Sequence, residues 1–190
     1  MKNELMIDIE TTGNKVGCKV LSLGAFGFDK DGNQVEFYKR FNATVQADEG
    51  LTDDESTMEW WNRQDPAARA EAFGGTTMPT AGIGEFKHWF YENFTTGKFD
   101  KFRVWCCGLD FDFPILQYFF KVYGFTFPWQ FWMQYDYRTI KNIFPTIKED
   151  EGNVMKHTAL EDSKAQMRGL RSFFNRLYGA RERAGFDGSI

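Results

Sequence analysis

The run Met6-Ile7-Asp8-Ile9-Glu10-Thr11-Thr12-Gly13 sets two carboxylates two residues apart in an otherwise apolar stretch that ends in a turn. In an extended strand side chains alternate faces, so Asp8 and Glu10 share one side while Ile7 and Ile9 pack on the other. Carboxylates held together there repel each other and are costly to desolvate, and a hard divalent cation removes that cost. Without a cation the same pattern is a strand with one solvated face. A metal site needs further oxygen donors from other elements, and two segments offer them. Gly108-Leu109-Asp110-Phe111-Asp112-Phe113-Pro114 places carboxylates where a strand gives way to a helix, and His157-Thr158-Ala159-Leu160-Glu161-Asp162 adds a histidine and another carboxylate. Thr158 and Glu161 have the spacing of a capping box, which starts the helix at Ala159. His157 then lies on the preceding loop and Asp162 in the helix, a mobile base beside a rigid ligand.

These donors need a framework. Residues 4–9 read as a strand, and residues 20–28 and 35–41 as a hairpin around Asp29-Lys30-Asp31-Gly32, since Asp-Gly between strand-like runs is a strong hairpin signal. Ser56-Thr57-Met58-Glu59 also has capping-box form, so a helix starting at Ser56 carries Trp60 and Trp61 until the glycines of residues 73–79 break it. Ile83, Phe86, Trp89, Phe90 and Phe94 fall at helical intervals over residues 81–94, with His88 off the stripe and at the surface. Residues 102–107 read as a strand, and 108–123 as a helix capped by Asp110 or Asp112 with Leu116, Phe119, Phe120 and Tyr123 on one face. A short strand over 134–137 and a helix through Ile143 follow. A long helix runs from Ala159 to about Tyr178 with Leu160, Met167, Leu170, Phe174 and Leu177 on its buried face. The class is α/β: a mixed sheet with an antiparallel hairpin at the front, flanked by helices. Residues 1–178 are expected to form a single domain, and 179–190 a flexible C-terminal tail.

Composition narrows the possibilities. A chain of 190 residues, 42% hydrophobic, can bury one sizeable core. No apolar run reaches membrane-span length and the first residues are no signal peptide, so a cytoplasmic protein without a membrane partner is expected. The three cysteines are odd in number, and Cys106 and Cys107 diverge within a strand, which argues against a disulfide framework. A net charge of -4 argues against a broad basic surface for duplex wrapping and leaves room for contact with a few phosphates. Aromatics form 18% of the chain; most must be core, and any exposed beside the carboxylates could stack nucleobases.

The order Asp8-x-Glu10, Phe111-Asp112 and His157-x-x-x-x-Asp162 resembles the DEDDh branch of the 3′-to-5′ exonucleases, which share a ribonuclease H-like fold and use two divalent metals. Ser56-Thr57-Met58-Glu59-Trp60-Trp61, Trp105-Cys106-Cys107-Gly108, Phe111-Asp112-Phe113-Pro114-Ile115-Leu116 and Tyr135-Asp136-Tyr137-Arg138-Thr139 look like segments of phage exodeoxyribonucleases of the DexA type and related bacterial 3′-5′ exoribonucleases. The likeness spans roughly residues 6–170. It departs from many DEDDh proteins at Gly108, where those carry an asparagine.

The resemblance implies a two-metal exonuclease acting on the 3′ end of single-stranded DNA or RNA and releasing nucleoside 5′-monophosphates. Asp8, Glu10, Asp112 and Asp162 would hold two cations, Mg²⁺ or Mn²⁺, and His157 would take the proton from the attacking water. Phenylalanine precedes Asp112 as the pattern requires, which favours it over Asp110. Thr11 would offer its backbone or hydroxyl to the terminal nucleotide, Trp60 and Trp61 would pack or stack bases, and Phe111 and Arg138 would touch substrate. A homodimer is compatible with the pattern, and a phage-encoded protein would act in host cytoplasm. Two other readings fit the residues: a catalytically silent nucleic-acid-binding module, and a hydrolase of short oligonucleotides or small phosphodiesters.

Overall fold

The computed structural model describes residues 1–94, 102–146 and 157–183, with side chains to residue 180. Strands β1 (Glu4–Thr11), β2 (Val20–Phe28), β3 (Gln34–Arg40), β4 (Arg103–Cys106) and β5 (Gln134–Asp136) form one sheet in the order β3-β2-β1-β4-β5. The front hairpin is antiparallel, while β4 and β5 run parallel to β1, giving the mixed sheet expected. The β2–β3 turn is tied by Asp29, whose Oδ1 accepts from the backbone N–H groups of Asp31 and Asn33. Gly32 there takes φ +94°, the left-handed conformation that glycine adopts without a Cβ clash.

Helices cover both faces. Alternation along β1 sends Leu5, Ile7 and Ile9 to one side, where they meet α3 (Pro79–Asn93) and α4 (Asp112–Val122) through Ile83, Phe86, Phe90, Leu116, Phe119 and Phe120. This phenylalanine-rich layer is the main core, and it absorbs much of the aromatic content. Met6 points the other way and joins Phe28, Trp105 and Tyr137 beneath Met167 and Leu170 of α6 (Ala159–Arg183). At the start of β1 the buried Glu4 accepts from Trp105 Nε1 at 2.7 Å and pairs with Arg103, whose guanidinium lies 5.3 Å from the centre of the Phe174 ring. That end of the sheet is therefore locked to α6, and the opposite end carries the carboxylates.

Several local expectations are revised. Asp54, not Ser56, caps α1 (Glu55–Asn62): its side chain accepts from Thr57 N, and Ser56 Oγ donates to the same carboxylate. A separate helix, α2 (Pro66–Phe73), follows, because Asp65 accepts from Ala67 N and Pro66 occupies the first turn, where its missing N–H costs nothing. Neither Asp110 nor Asp112 caps α4; Phe111 stands at the cap with no side-chain bond, and Asp112 is the first helical residue. β5 stops at Asp136, whose carboxylate accepts from Thr139 N and caps α5 (Tyr137–Ile143). On α6, Leu177 is 39% exposed, so the buried stripe ends before it. That helix also continues past Tyr178 to Arg183, and residues 184–190 of the proposed tail lie outside the described residues. Among the described residues no helix is long and apolar enough to cross a membrane, and the three cysteines are free thiols.

Candidate active site

The second half of β1 presents Asp8 and Glu10 on the face covered by α6. Gly24 makes that approach possible: it pairs with Asp8 across the β1–β2 ladder, and a Cβ on it would lie 2.1 Å from the Ala159 backbone carbon. The first turn of α6 therefore rests directly on β2, which delivers Asp162 to the end of β1. One turn later Gln166 Nε2 donates to Asp8 Oδ1 at 2.9 Å. Asp112 arrives from the opposite side, at the start of α4, with 2% of its surface exposed. Asp110, by contrast, is solvent-exposed.

One ligand atom from each of Glu10, His157 and Asp162 lies within 4.8 Å of the other two. Asp8 and Asp112 are outside that triangle and join the group through charge. Burial pushes the Asp8 carboxyl well above the ordinary carboxylate range, and the charges of Asp112, Glu10 and Asp162 push it further, against the donated bond from Gln166. Glu10 is raised to about 8 by burial and then by Asp162 and Asp112. Asp112 is raised to about 7 by burial, although the Cys106 thiol, the N–H groups of Asp112 and Ile9, and the Arg138 guanidinium all favour its charged form. In the bare protein, then, the group cannot ionise fully at neutral pH without an electrostatic penalty.

His157 has φ +63°, a left-handed backbone rare for a residue with a side chain. Its ring sits edge-on to Trp60 with centroids 4.8 Å apart, and Trp61 lies 6.2 Å away at a similar angle. The two tryptophans divide their work. Trp61 is 1% exposed and its Nε1 donates to the Thr11 carbonyl at 2.9 Å, so it pins the end of β1 and has no free face for a base. Trp60 is half-buried against the histidine. Thr11 is itself buried, and its hydroxyl donates to Gly13 O at 2.6 Å. The Thr11 carbonyl is thus held by Trp61 and its hydroxyl proton by the turn.

Arg138, in the first turn of α5, donates from Nη2 to the Cys107 carbonyl at 2.6 Å and lies over Gly108. Gly108 has φ +143°, and a Cβ on it would come within 3.0 Å of Arg138 Nη2. The missing side chain at this position is thus what lets a cation stand beside the carboxylates. Phe111 is half-buried against the main core at the mouth of α4. Three supporting residues escaped the sequence reading: Gln166, Cys106 and Gly24. Gln166 was within reach, since it follows Asp162 at the i, i+4 spacing that shares a helix face.

The model of the 3′-5′ exoribonuclease Rv2179c-like domain matches residues 3–174. The exodeoxyribonuclease of Enterobacteria phage T4 is 32% identical over 124 residues, covering 60% of this chain and 53% of the phage protein. This chain thus spans about half the length of that relative. Among solved structures, E. coli Exonuclease I in complex with a 5cy-dA13 oligonucleotide aligns with TM-score 0.59 at 12% identity, covering 94% of this chain and 43% of the other. Cell-death related nuclease 4 aligns with TM-score 0.57 at 15% identity, over 91% and 64% of the two chains. At such identities the two structures establish a shared fold alone, the mixed five-stranded sheet flanked by helices. The family match covers the sheet, the carboxylate-bearing ends of β1, α4 and α6, and the histidine, and by it this chain belongs to the 3′-5′ exoribonuclease Rv2179c-like domain family.

Proposed function

We propose that this domain is a divalent-metal-dependent 3′-5′ exonuclease that shortens single-stranded nucleic acid and releases nucleoside 5′-monophosphates. The observation that carries the reading is the convergence of Asp8, Glu10, Asp112 and Asp162 at one end of the sheet, where burial drives the carboxyls of Asp8, Glu10 and Asp112 upward. A binding module gains nothing from concentrating negative charge where phosphate must sit. Carboxylate oxygens with one imidazole suit hard cations such as Mg²⁺ or Mn²⁺, so the donor set fits the two ions that the family resemblance implies. When bound, they would supply Lewis-acid activation of water and neutralise charge on the leaving oxygen.

The chain's own residues do the rest. The four carboxylates would hold the ions, and Gln166 fixes the orientation of Asp8 through its donated hydrogen bond. His157, on the loop before α6, accepts the proton of the attacking water, and the perpendicular Trp60 ring restricts its imidazole. Arg138 offers guanidinium donors to a non-bridging phosphate oxygen from its seat over Gly108. The test is digestion of matched single-stranded DNA and RNA labelled at the 5′ end, in Mg²⁺, Mn²⁺ or chelator, by the parent protein and Asp8→Ala. A ladder shortening from the 3′ side, absent in chelator and in the variant, is expected. Chelator-resistant cleavage or an equally active variant overturns the reading.

A further inference from the structure

Two short helices carry side chains that neither the carboxylate site nor the main core uses. Trp61 of α1 and Ala72 of α2 pack with Leu21 of β2 in a small cluster of their own, and the half-buried Phe73 closes its edge. Ala68 and Ala72 form the buried stripe of α2. Arg69 and Phe73 follow them by one position each, and on α1 Met58 and Asn62 are likewise one turn apart, so each pair shares a helix face.

The two faces meet in an open groove of ≈ 410 Å³, lined by Met58 and Asn62 from α1, Arg69 and Phe73 from α2, and Gln64 between the helices. Met58 and Phe73 offer a polarizable chain and an aromatic ring, which suit the face of a base. Asn62 is exposed, and its amide has donors and an acceptor for a base edge. Gln64 gives Nε2 to the Trp60 carbonyl at 3.0 Å and keeps its own carbonyl oxygen as an acceptor. Arg69 is exposed with its guanidinium 6.0 Å from the centre of the Phe73 ring, which restricts a planar fork suited to phosphate. Asp65, one turn before Arg69, is engaged at the cap of α2, where Oδ1 accepts from Ala67 N at 2.7 Å. A single ring connects the groove to the site: the Trp61 centroid lies 5.6 Å from that of Phe73 and 6.2 Å from that of His157. Trp60, against the imidazole, and Met58, in the groove, lie about 160° apart around α1, so groove and imidazole are separated by about one helix width, roughly 10–12 Å.

We propose that the α1–α2 groove is a second nucleotide subsite, in which Met58 and Phe73 hold a base, and Arg69 a phosphate, of the strand lying 5′ of the bond being cut. The inference rests on the exonuclease reading: when nucleotides leave from the 3′ end, the strand extends away from the carboxylates only on its 5′ side. A dinucleotide engaged at the carboxylates is too short to fill the groove, whereas a longer strand reaches it. The groove therefore sets the binding of longer strands and leaves the chemistry at the carboxylates unchanged.

The experiment compares the parent with Arg69→Gln and with Asn62→Ala/Arg69→Gln. Both positions are exposed and outside the cleavage machinery, and circular dichroism and Tm check folding. Fluorescence anisotropy of a labelled single-stranded 12-mer is measured in chelator across a salt series, and hydrolysis of the 12-mer and of a dinucleotide is measured in Mg²⁺. One phosphate contact contributes about 0.7 to the salt slope for single strands, so both variants should lose about 0.7 from that slope. KM for the 12-mer should rise about threefold in the single variant and about tenfold in the double, while dinucleotide turnover stays within about twofold of the parent. Unchanged salt slope and KM in the folded variants overturn the proposal, as does equal loss on both substrates. If the parent hydrolyses neither substrate, the exonuclease reading fails instead, and the anisotropy slopes still decide whether the groove holds phosphate.

Discussion

Replacing Glu10 with glutamine should make the metal-free protein more stable while it abolishes activity. The carboxyl of Glu10 is raised from 4.5 to about 8 by burial and by its neighbours Asp162 and Asp112. At 1.36 kcal/mol per pH unit, an isolated group so displaced would cost about 5 kcal/mol when forced to ionise. The repulsion is shared with Asp8, Asp112 and Asp162, so neutralising one member recovers part of that, on the order of 2–3 kcal/mol at about pH 8. The sign follows from proton counting. The unfolded chain releases this proton near 4.5 and the folded one near 8, so the folded state holds more protons between those values. Stability from this group is therefore full below about pH 4.5 and is lost as pH rises through about 8. Urea unfolding of parent and Glu10→Gln in chelator, from about pH 5 to about pH 8.5, reads the effect. The parent should lose stability with pH more steeply, by up to about 1.4 kcal/mol per pH unit, and the variant should melt about 5–10 °C higher at about pH 8. Saturating Mn²⁺ should reverse the order, because an ion at about one thousand times its Kd adds about 4.1 kcal/mol to the protein that binds it. A variant less stable than the parent in chelator at about pH 8, or parallel pH curves, would refute the claim that these carboxylates are held together against their own repulsion.

Removing the proposed base by His157→Ala should lower kcat by roughly 10²–10⁴-fold with Mn²⁺ affinity retained, as read by calorimetric titration beside single-turnover kinetics. Trp60→Ala should lower kcat far more than it changes KM, and Trp60→Phe should restore most of the loss, because an aromatic ring set at right angles to the imidazole is what the position supplies; equal effects of the two variants would make Trp60 a packing residue. Gly24→Ala puts a methyl 2.1 Å from the Ala159 backbone carbon. The backbone must move, so a loss of about 1–3 kcal/mol in urea is expected along with reduced cleavage as Asp162 is displaced.

Much of this fold could be read from the chain because its elements are strongly periodic. Asp-Gly at the β2–β3 turn, alternation along β1 and the three-and-four spacing of α3 each specify an element through local geometry, and the structure follows them. Errors gathered where two local signals compete. Ser56 and Asp54 both offer a cap oxygen, and Asp54 takes Thr57 N while binding the serine as well. The break at Asp65-Pro66 carried a helix-start signal that the distant glycines overshadowed. Asp112 could be placed at the end of a strand but not known to be buried, since burial depends on α4 closing against β1. The value of Gly24 is invisible locally: it is set by a helix more than a hundred residues later in the chain.

The most direct test of the central idea, that four carboxylates converge at the end of β1 to hold cations for phosphodiester cleavage, is an anomalous difference map from crystals of the catalytically competent protein in Mn²⁺. Peaks bounded by Asp8, Glu10, Asp112 and Asp162, and missing from Asp112→Asn crystals, are the expected result. Manganese bound elsewhere in active crystals, with no anomalous density at these residues, would contradict it.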